Sequence, residues 1–162
     1  MRRSLKDESG MTLVESMIAL LIMLVGLLSM AQVLAFSVLA SKTYGRDATK
    51  TTASAHDKME ELTSLAFSDT TTDVTMDAPF PSSGVGLTAG GSIAPADPAD
   101  GYVDYLDLSG ARTTAEDAGY TRQWQITNNS TTLKTIMVSV TSNRSFEYGV
   151  PPSTTLVTQK TP

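Results

Sequence analysis

The feature that most limits what this chain can become is an uncharged run from Ser16 to Ser41. Between Met17 and Ala40 it is built of Leu, Ile, Met, Val and Ala, interrupted only by Gly26, Ser29, Gln32, Phe36 and Ser37. As a helix rising about 1.5 Å per residue, these positions span roughly 36 Å, more than a hydrocarbon core of about 30 Å. The run is therefore expected to cross a bilayer. Arg2, Arg3 and Lys6 precede it. Positive charge ahead of a first spanning helix holds that end in the cytoplasm, so the rest of the chain is expected on the far side, periplasmic or extracellular.

Three origins fit such a start. A secretory signal has a shorter apolar core, about 7 to 15 residues, followed by a small-residue cleavage site such as Val38-Leu39-Ala40. Here the run is longer and carries Glu15 at its entrance. A plain uncleaved anchor accommodates the length but leaves Gly10 and Glu15 without a role.

The third origin gives both a role. Gly10-Met11-Thr12-Leu13-Val14-Glu15, with a basic leader before it and an apolar helix after it, resembles the start of a type IV prepilin. The resemblance implies that prepilin peptidase cuts between Gly10 and Met11, that Met11 becomes the N-methylated first residue, and that Glu15 pairs subunits. It implies a leader at residues 1–10, a membrane and filament-core helix at 11–41 and a head at 42–162. It also implies partners: the peptidase, the inner membrane and the N-terminal helices of other pilin subunits. A single-pass protein with a periplasmic head would then move into a surface pilus or a periplasmic pseudopilus. Met11 stands where many major pilins have Phe, Gln32 stands about where many have Pro, and the chain has no Cys to close a C-terminal disulfide loop. The pattern is thus closer to a minor pilin, or to a pseudopilin of type II secretion, than to a fibre's main building block. Tyr120-Thr121-Arg122-Gln123-Trp124, with the hairpin after it, adds a short likeness to PilV-type heads.

The chemistry agrees with these roles. Glycine before a scissile bond presents no side chain to a protease approaching an extended backbone. A carboxylate at the bilayer centre costs about 2.5–3.5 kcal/mol, so one in an apolar zone ordinarily has a partner. Cleavage would create one for Glu15, the freed cationic amine of Met11 on a neighbouring subunit. The plain alternative is a Glu15 solvated at headgroup level.

Past Ser41 the helical pattern turns amphipathic. Tyr44, Ala48, Thr51, Ala55, Met59, Leu62 and Ala66 recur at spacings of three and four, while Lys42, Arg46, Lys50, Asp57, Lys58 and Glu61 are assigned to other faces. One helix is expected from about Thr12 to Leu65, its amphipathic part at 42–66. Residues 67–101, rich in Pro and Gly, read as loop. No basic residue lies between Lys58 and Arg112, and Asp97, Asp100, Asp104 and Asp107 cluster around Gly101. Such a cluster could hold Ca²⁺, but the spacing departs from the known loop motif, so the expectation is a solvated acidic loop with no metal and no cofactor.

Residues 102–158 read as antiparallel sheet: Tyr102–Leu108, a hairpin from Tyr120 to Thr141 turning at Asn128-Asn129-Ser130, and an edge strand at Thr154–Thr158. Arg122 interrupts the apolar face of the first hairpin strand. The fold class expected is α+β, a long helix laid on a small antiparallel sheet, as in pilins. The single histidine, His56, is placed on a solvated helix face, so no Ser-His-Asp arrangement or phosphate loop emerges and no enzyme is expected. The chain carries a net charge of −5, and a leader with three basic and two acidic residues would leave −6 on the mature protein, which disfavours nucleic acid as a partner. The function expected is that of a filament subunit, with a membrane-anchored periplasmic ligand-binding domain as the reading from a different class.

Overall fold

The computed structural model describes residues 12–75, 85–94, 96, 98–145 and 149–162. One helix, α1 (Leu13–Ser64), precedes five strands: β1 (Gly90–Gly91), β2 (Val103–Leu106), β3 (Tyr120–Ser130), β4 (Leu133–Ser142) and β5 (Ser153–Lys160). The chain divides into two compact units, Met1–Thr43 and Tyr44–Pro162.

In the first unit, α1 buries none of its side chains, and its leucines, isoleucines, valines and methionines stand 55–77% exposed. The hydroxyls in and beside this stretch are turned back on the helix. Ser29 Oγ donates to the Val25 carbonyl at 2.8 Å and Thr43 Oγ1 to the Leu39 carbonyl at 3.1 Å, so neither presents an unpaired donor to an apolar surrounding.

In the second unit the rest of α1 lies on an antiparallel sheet ordered β1-β3-β4-β5, with β2 also pairing β3. Trp124 of β3 opposes Val138 of β4, which opposes Leu156 of β5, and Ile126 opposes Ile136. These inward side chains meet Ala55 and Leu62 of the helix, with Val74, Leu87, Tyr102, Leu106, Tyr120 and Val140 completing the core. The architecture is α+β, helix on antiparallel sheet.

Several local expectations shift. The buried stripe of α1 is Asp47, Thr51, Ala55, Lys58 and Leu62, at spacings of four, four, three and four, whereas Tyr44 is 48% exposed. Periodicity located the stripe within a residue, but Lys58, assigned to an outer face, is buried. The hairpin turns at Thr131-Thr132 and β3 runs on through Asn128-Asn129-Ser130 with a register shift. Asn129 is the residue the ladder skips at that shift, and its side chain ties it to β4 instead: its Oδ1 accepts from Thr135 Oγ1 at 2.8 Å, while Ser130 Oγ accepts the Thr132 amide at 3.2 Å. The strand expected at Tyr102–Leu108 is shorter, and the edge strand is longer than Thr154–Thr158.

β1 lies inside the segment read as loop. It can only be glycine, since Gly91 has φ +80° and a Cβ there would sit 2.2 Å from the Trp124 carbonyl and 2.7 Å from Tyr102 Cδ1. The two glycines form a floor for the Tyr102 ring, which is tilted 55° to Trp124 with centroids 6.3 Å apart and donates its hydroxyl to the Thr88 carbonyl. At Gly45, by contrast, an added Cβ meets nothing within 4 Å and the helix is continuous. Gly91→Ala is therefore expected to destabilise the head by about 1–3 kcal/mol, and Gly45→Ala to stabilise it by up to about 1 kcal/mol. Thermal unfolding followed through Trp124, the single tryptophan, checks both; an unchanged midpoint for Gly91→Ala would contradict the packing described.

Candidate functional site

Two places gather functional groups. The first is the N-terminal motif. Gly10 and Met11 lie outside the described residues, so the geometry begins at Thr12. Thr12 caps α1: its Oγ1 accepts the Glu15 amide at 3.3 Å and its carbonyl accepts the Ser16 amide at 3.1 Å. Thr12 and Glu15 thus stand at the spacing of a capping box, in which the acidic residue also offsets the positive end of the helix dipole. This gives Glu15 a local role that the sequence reading did not identify, although Thr-x-x-Glu was visible there. The carboxylate is exposed, beside apolar side chains that also have no cover in the chain.

The second place is a buried ionic cluster in the head. Lys58 of α1, fully buried, donates to Glu61 Oε2 at 2.9 Å and to the Val74 carbonyl, and lies 3.1 Å from Asp104 Oδ2. Those three acceptors match the three protons of an ammonium. The same Nζ sits 4.2 Å above the centre of the Trp124 ring, a desolvated cation–π contact. Asp104 Oδ2 also accepts from Arg122 Nε at 3.0 Å and Nη2 at 2.6 Å, and Arg122 Nη1 donates to the Ser54 carbonyl at 3.2 Å. One carboxylate oxygen thereby ties α1, β2 and β3 together. Toward the N-terminal end of the packed segment, fully buried Asp47 accepts from the Tyr120 hydroxyl at 3.0 Å and from Ser142 Oγ at 3.4 Å, with Arg144 Nη1 at 3.6 Å. Burial and the hydrogen bond to Asp47 push the Tyr120 hydroxyl above its ordinary pKa.

The far end of α1 has no basic residue in its last turn, and the sheet supplies one. Lys160 of β5 donates to the Thr63 carbonyl at 2.7 Å. Lys134 of β4 donates to the Phe67 and Leu87 carbonyls, both at 2.8 Å. Lys160, at a carbonyl in the last turn of α1, both satisfies that group and suits the dipole, while the carbonyls held by Lys134 lie beyond the helix.

The acidic segment takes a different form from the one expected. Asp104 is a fully buried strand residue at the centre of the ionic cluster, and Asp97 lies outside the described residues. Asp107 binds its own loop through Ser109 and Ala111, and the Ser109 hydroxyl holds its carboxyl below the usual range. Thr72 does the same for Asp69, and Thr75 for Asp73. Among the described residues no three Asp, Glu, His or Cys side chains converge on a metal position. His56 is exposed. A cleft of about 410 Å³ is lined by Lys50, Ser54, Asp57, Glu61, Ser109 and Arg122, among others; its lining holds no histidine, and Lys50 and Arg122 are already bonded to the Ser109 carbonyl and to Asp104.

The profile of the prokaryotic N-terminal methylation motif matches residues 5–31, which include Gly10, Met11, Glu15 and the first part of the apolar helix. The match supports a pilin-type substrate of prepilin peptidase, and it fits a membrane anchor and a structural family. No curated protein and no solved structure matches the chain.

The cluster makes an asymmetric prediction. Asp104→Ala leaves two buried cations facing each other, and breaking a buried pair in this way costs about 3–5 kcal/mol. Lys58→Met leaves the Asp104–Arg122 pair intact and fills the space with an apolar chain, so it should cost clearly less. Urea unfolding of both variants checks the order, and equal losses would show that Asp104 does not organise the cluster.

Proposed function

We propose that the chain is a minor pilin: it is cut after Gly10, methylated at Met11, and inserted into a type IV pilus through its N-terminal helix. The observation that carries this reading is a conjunction. The methylation-motif match coincides with a helix whose apolar half buries no side chain in the chain's own fold. That surface needs either lipid or the helices of other subunits, and a subunit that passes from membrane to filament uses both in turn. The absence of Cys and of Pro in the apolar helix sets it apart from many main fibre subunits and fits a minor subunit.

In a filament, apolar helices of neighbours surround Glu15. A carboxylate there without a cation would be costly, and the amine of Met11 on the adjacent subunit both relieves that cost and sets the axial register between helices. The head contributes contacts and no turnover.

Two substitutions test this. Gly10→Val places a β-branched side chain at the cut and is expected to retain the leader, read as a slower-migrating full-length band; normal trimming would contradict cleavage at this bond. Glu15→Ala is expected to be trimmed and membrane-inserted normally but lost from sheared filaments, at least tenfold if about 1.4 kcal/mol or more of pairing is removed. Glu15→Gln keeps the capping-box geometry without the charge, so an intermediate loss indicates pairing and full recovery indicates that Glu15 only caps the helix. Failure of Glu15→Ala to be trimmed would assign Glu15 to the peptidase instead.

A further inference from the structure

Exposed charge is sorted by sign along α1. Between Glu15 and Asp57 the helix holds one carboxylate, Asp47, which is fully buried and bonded to Tyr120 and Ser142. The other charges of that stretch, Lys42, Arg46 and Lys50, are positive. The exposed charges that follow, Asp57, Glu60 and Glu61, are negative, because Lys58 is buried. Helix stability does not ask for this order. The dipole favours cations in the last turn, where α1 has none and Glu61 stands instead. The sorting suits an outside field that is negative on the Arg46 side.

Arg46 also has no bond inside the head. Lys58, Arg122, Lys134 and Lys160 are held by carboxylates or carbonyls, but among the described residues the Arg46 guanidinium has no hydrogen-bond or ion-pair partner. The Arg144 guanidinium, 41% exposed, approaches Asp47 at 3.6 Å, beyond hydrogen-bond range. The two cations share one end of the head, since both act on the Tyr120 hydroxyl, which donates to Asp47, the residue after Arg46. Glu116 and Asp117 lie exposed in the loop before Gly119, whose carbonyl takes the Asn143 amide. This end therefore offers free guanidinium donors rather than a uniformly positive field. Tyr44, 48% exposed, stands two residues before Arg46.

We propose that Arg46 and Arg144 bind the phosphates of anionic lipid headgroups at the surface of the membrane that the apolar run enters. Arg46 lies about 9 Å along the helix past Ala40. The headgroup zone is about 5–8 Å deep, so a long side chain that bends back reaches it. A tyrosine at that level is a common interfacial anchor. Each guanidinium meets phosphate oxygens through paired, charge-assisted hydrogen bonds, and Lys42 adds a cation to the same stretch of sequence. The same surface repels the exposed carboxylates Asp57, Glu60 and Glu61, which favours contact through Arg46 over contact through them. The contact rests on membrane anchoring and not on entry into a filament, so failure of the pilin reading leaves it standing.

Because the chain has no Cys, a fluorophore on Gly149→Cys reports the contact in the full-length protein reconstituted into vesicles. Gly149 is exposed, an added Cβ there meets nothing within 4 Å, and its loop returns beside Ser142, whose amide donates to the Pro152 carbonyl. Quenching by a lipid with a nitroxide headgroup is expected to be several-fold stronger in vesicles with about a third phosphatidylglycerol than in phosphatidylcholine alone, and high salt should abolish the difference. Arg46→Gln with Arg144→Gln should remove the difference, while Arg46→Lys with Arg144→Lys should keep most of it, with Trp124 fluorescence checking that each variant is folded. The comparison of lipids and of salt on the native arginines decides the matter if the Gln variant does not fold. Inorganic phosphate at constant ionic strength should leave the quenching unchanged; its loss there would assign the site to free phosphate and overturn the proposal. Equal quenching in the two kinds of vesicle, or an undiminished difference in a folded double Gln variant, would overturn it as well.

Discussion

The second half of α1 is held on the sheet by an ionic contact at its centre, the meeting of Lys58, Asp104 and Arg122 at one carboxylate oxygen. An apolar stripe would adhere to an apolar sheet in several registers, because hydrophobic attraction is non-directional. A buried ammonium with three specific acceptors tolerates far fewer. Asp47 against Tyr120 and Ser142, and Lys160 at the Thr63 carbonyl, repeat the device toward either end of the packed segment. Buried ion pairs are weak sources of net stability, and fixing one arrangement is their best-attested use. Here the arrangement fixed is the seating of the helix on its sheet.

That division of labour suits a helix with two employments. In the proposed passage from membrane to filament its N-terminal half would exchange one apolar surrounding for another, and Glu15 at its head would be the group there that needs a fixed partner. Its hydroxyls are accordingly folded back onto backbone carbonyls. Its C-terminal half is given a single register on the sheet by polar hooks. The loops follow a related logic: Asp69, Asp73 and Asp107 direct their charge into hydrogen bonds within their own turns.

The helix, its length within a residue or two at each end, the hairpin and the edge strand were legible because each rests on a period, 3.6 or 2, that composition preserves. What misled was the equation of charge with the surface. Lys58 lies three residues after Ala55 and four before Leu62, and Asp104 shares the parity of Leu106, so spacing alone put both inside. Arg122 was noticed as a break in an apolar face, and an inward charge on a strand implies a partner, but the partner sits 18 residues away. β1 was illegible for another reason. Two glycines carry no propensity for a strand, and their place is set by the ring of Tyr102, a tertiary demand with no local signature. At the N-terminus the methylation motif was legible in the sequence, while the Thr12 cap needed the geometry to be recognised.

The central claim is that the apolar helix begins at a processed, charged N-terminus designed to meet Glu15. The most direct measurement is the mass of the N-terminal peptide of the protein extracted from its native membranes. The account predicts a peptide that starts at Met11 and carries one additional methyl group on its amine. A peptide that starts at Met1, or at Ser41 after signal-type cleavage, would contradict it.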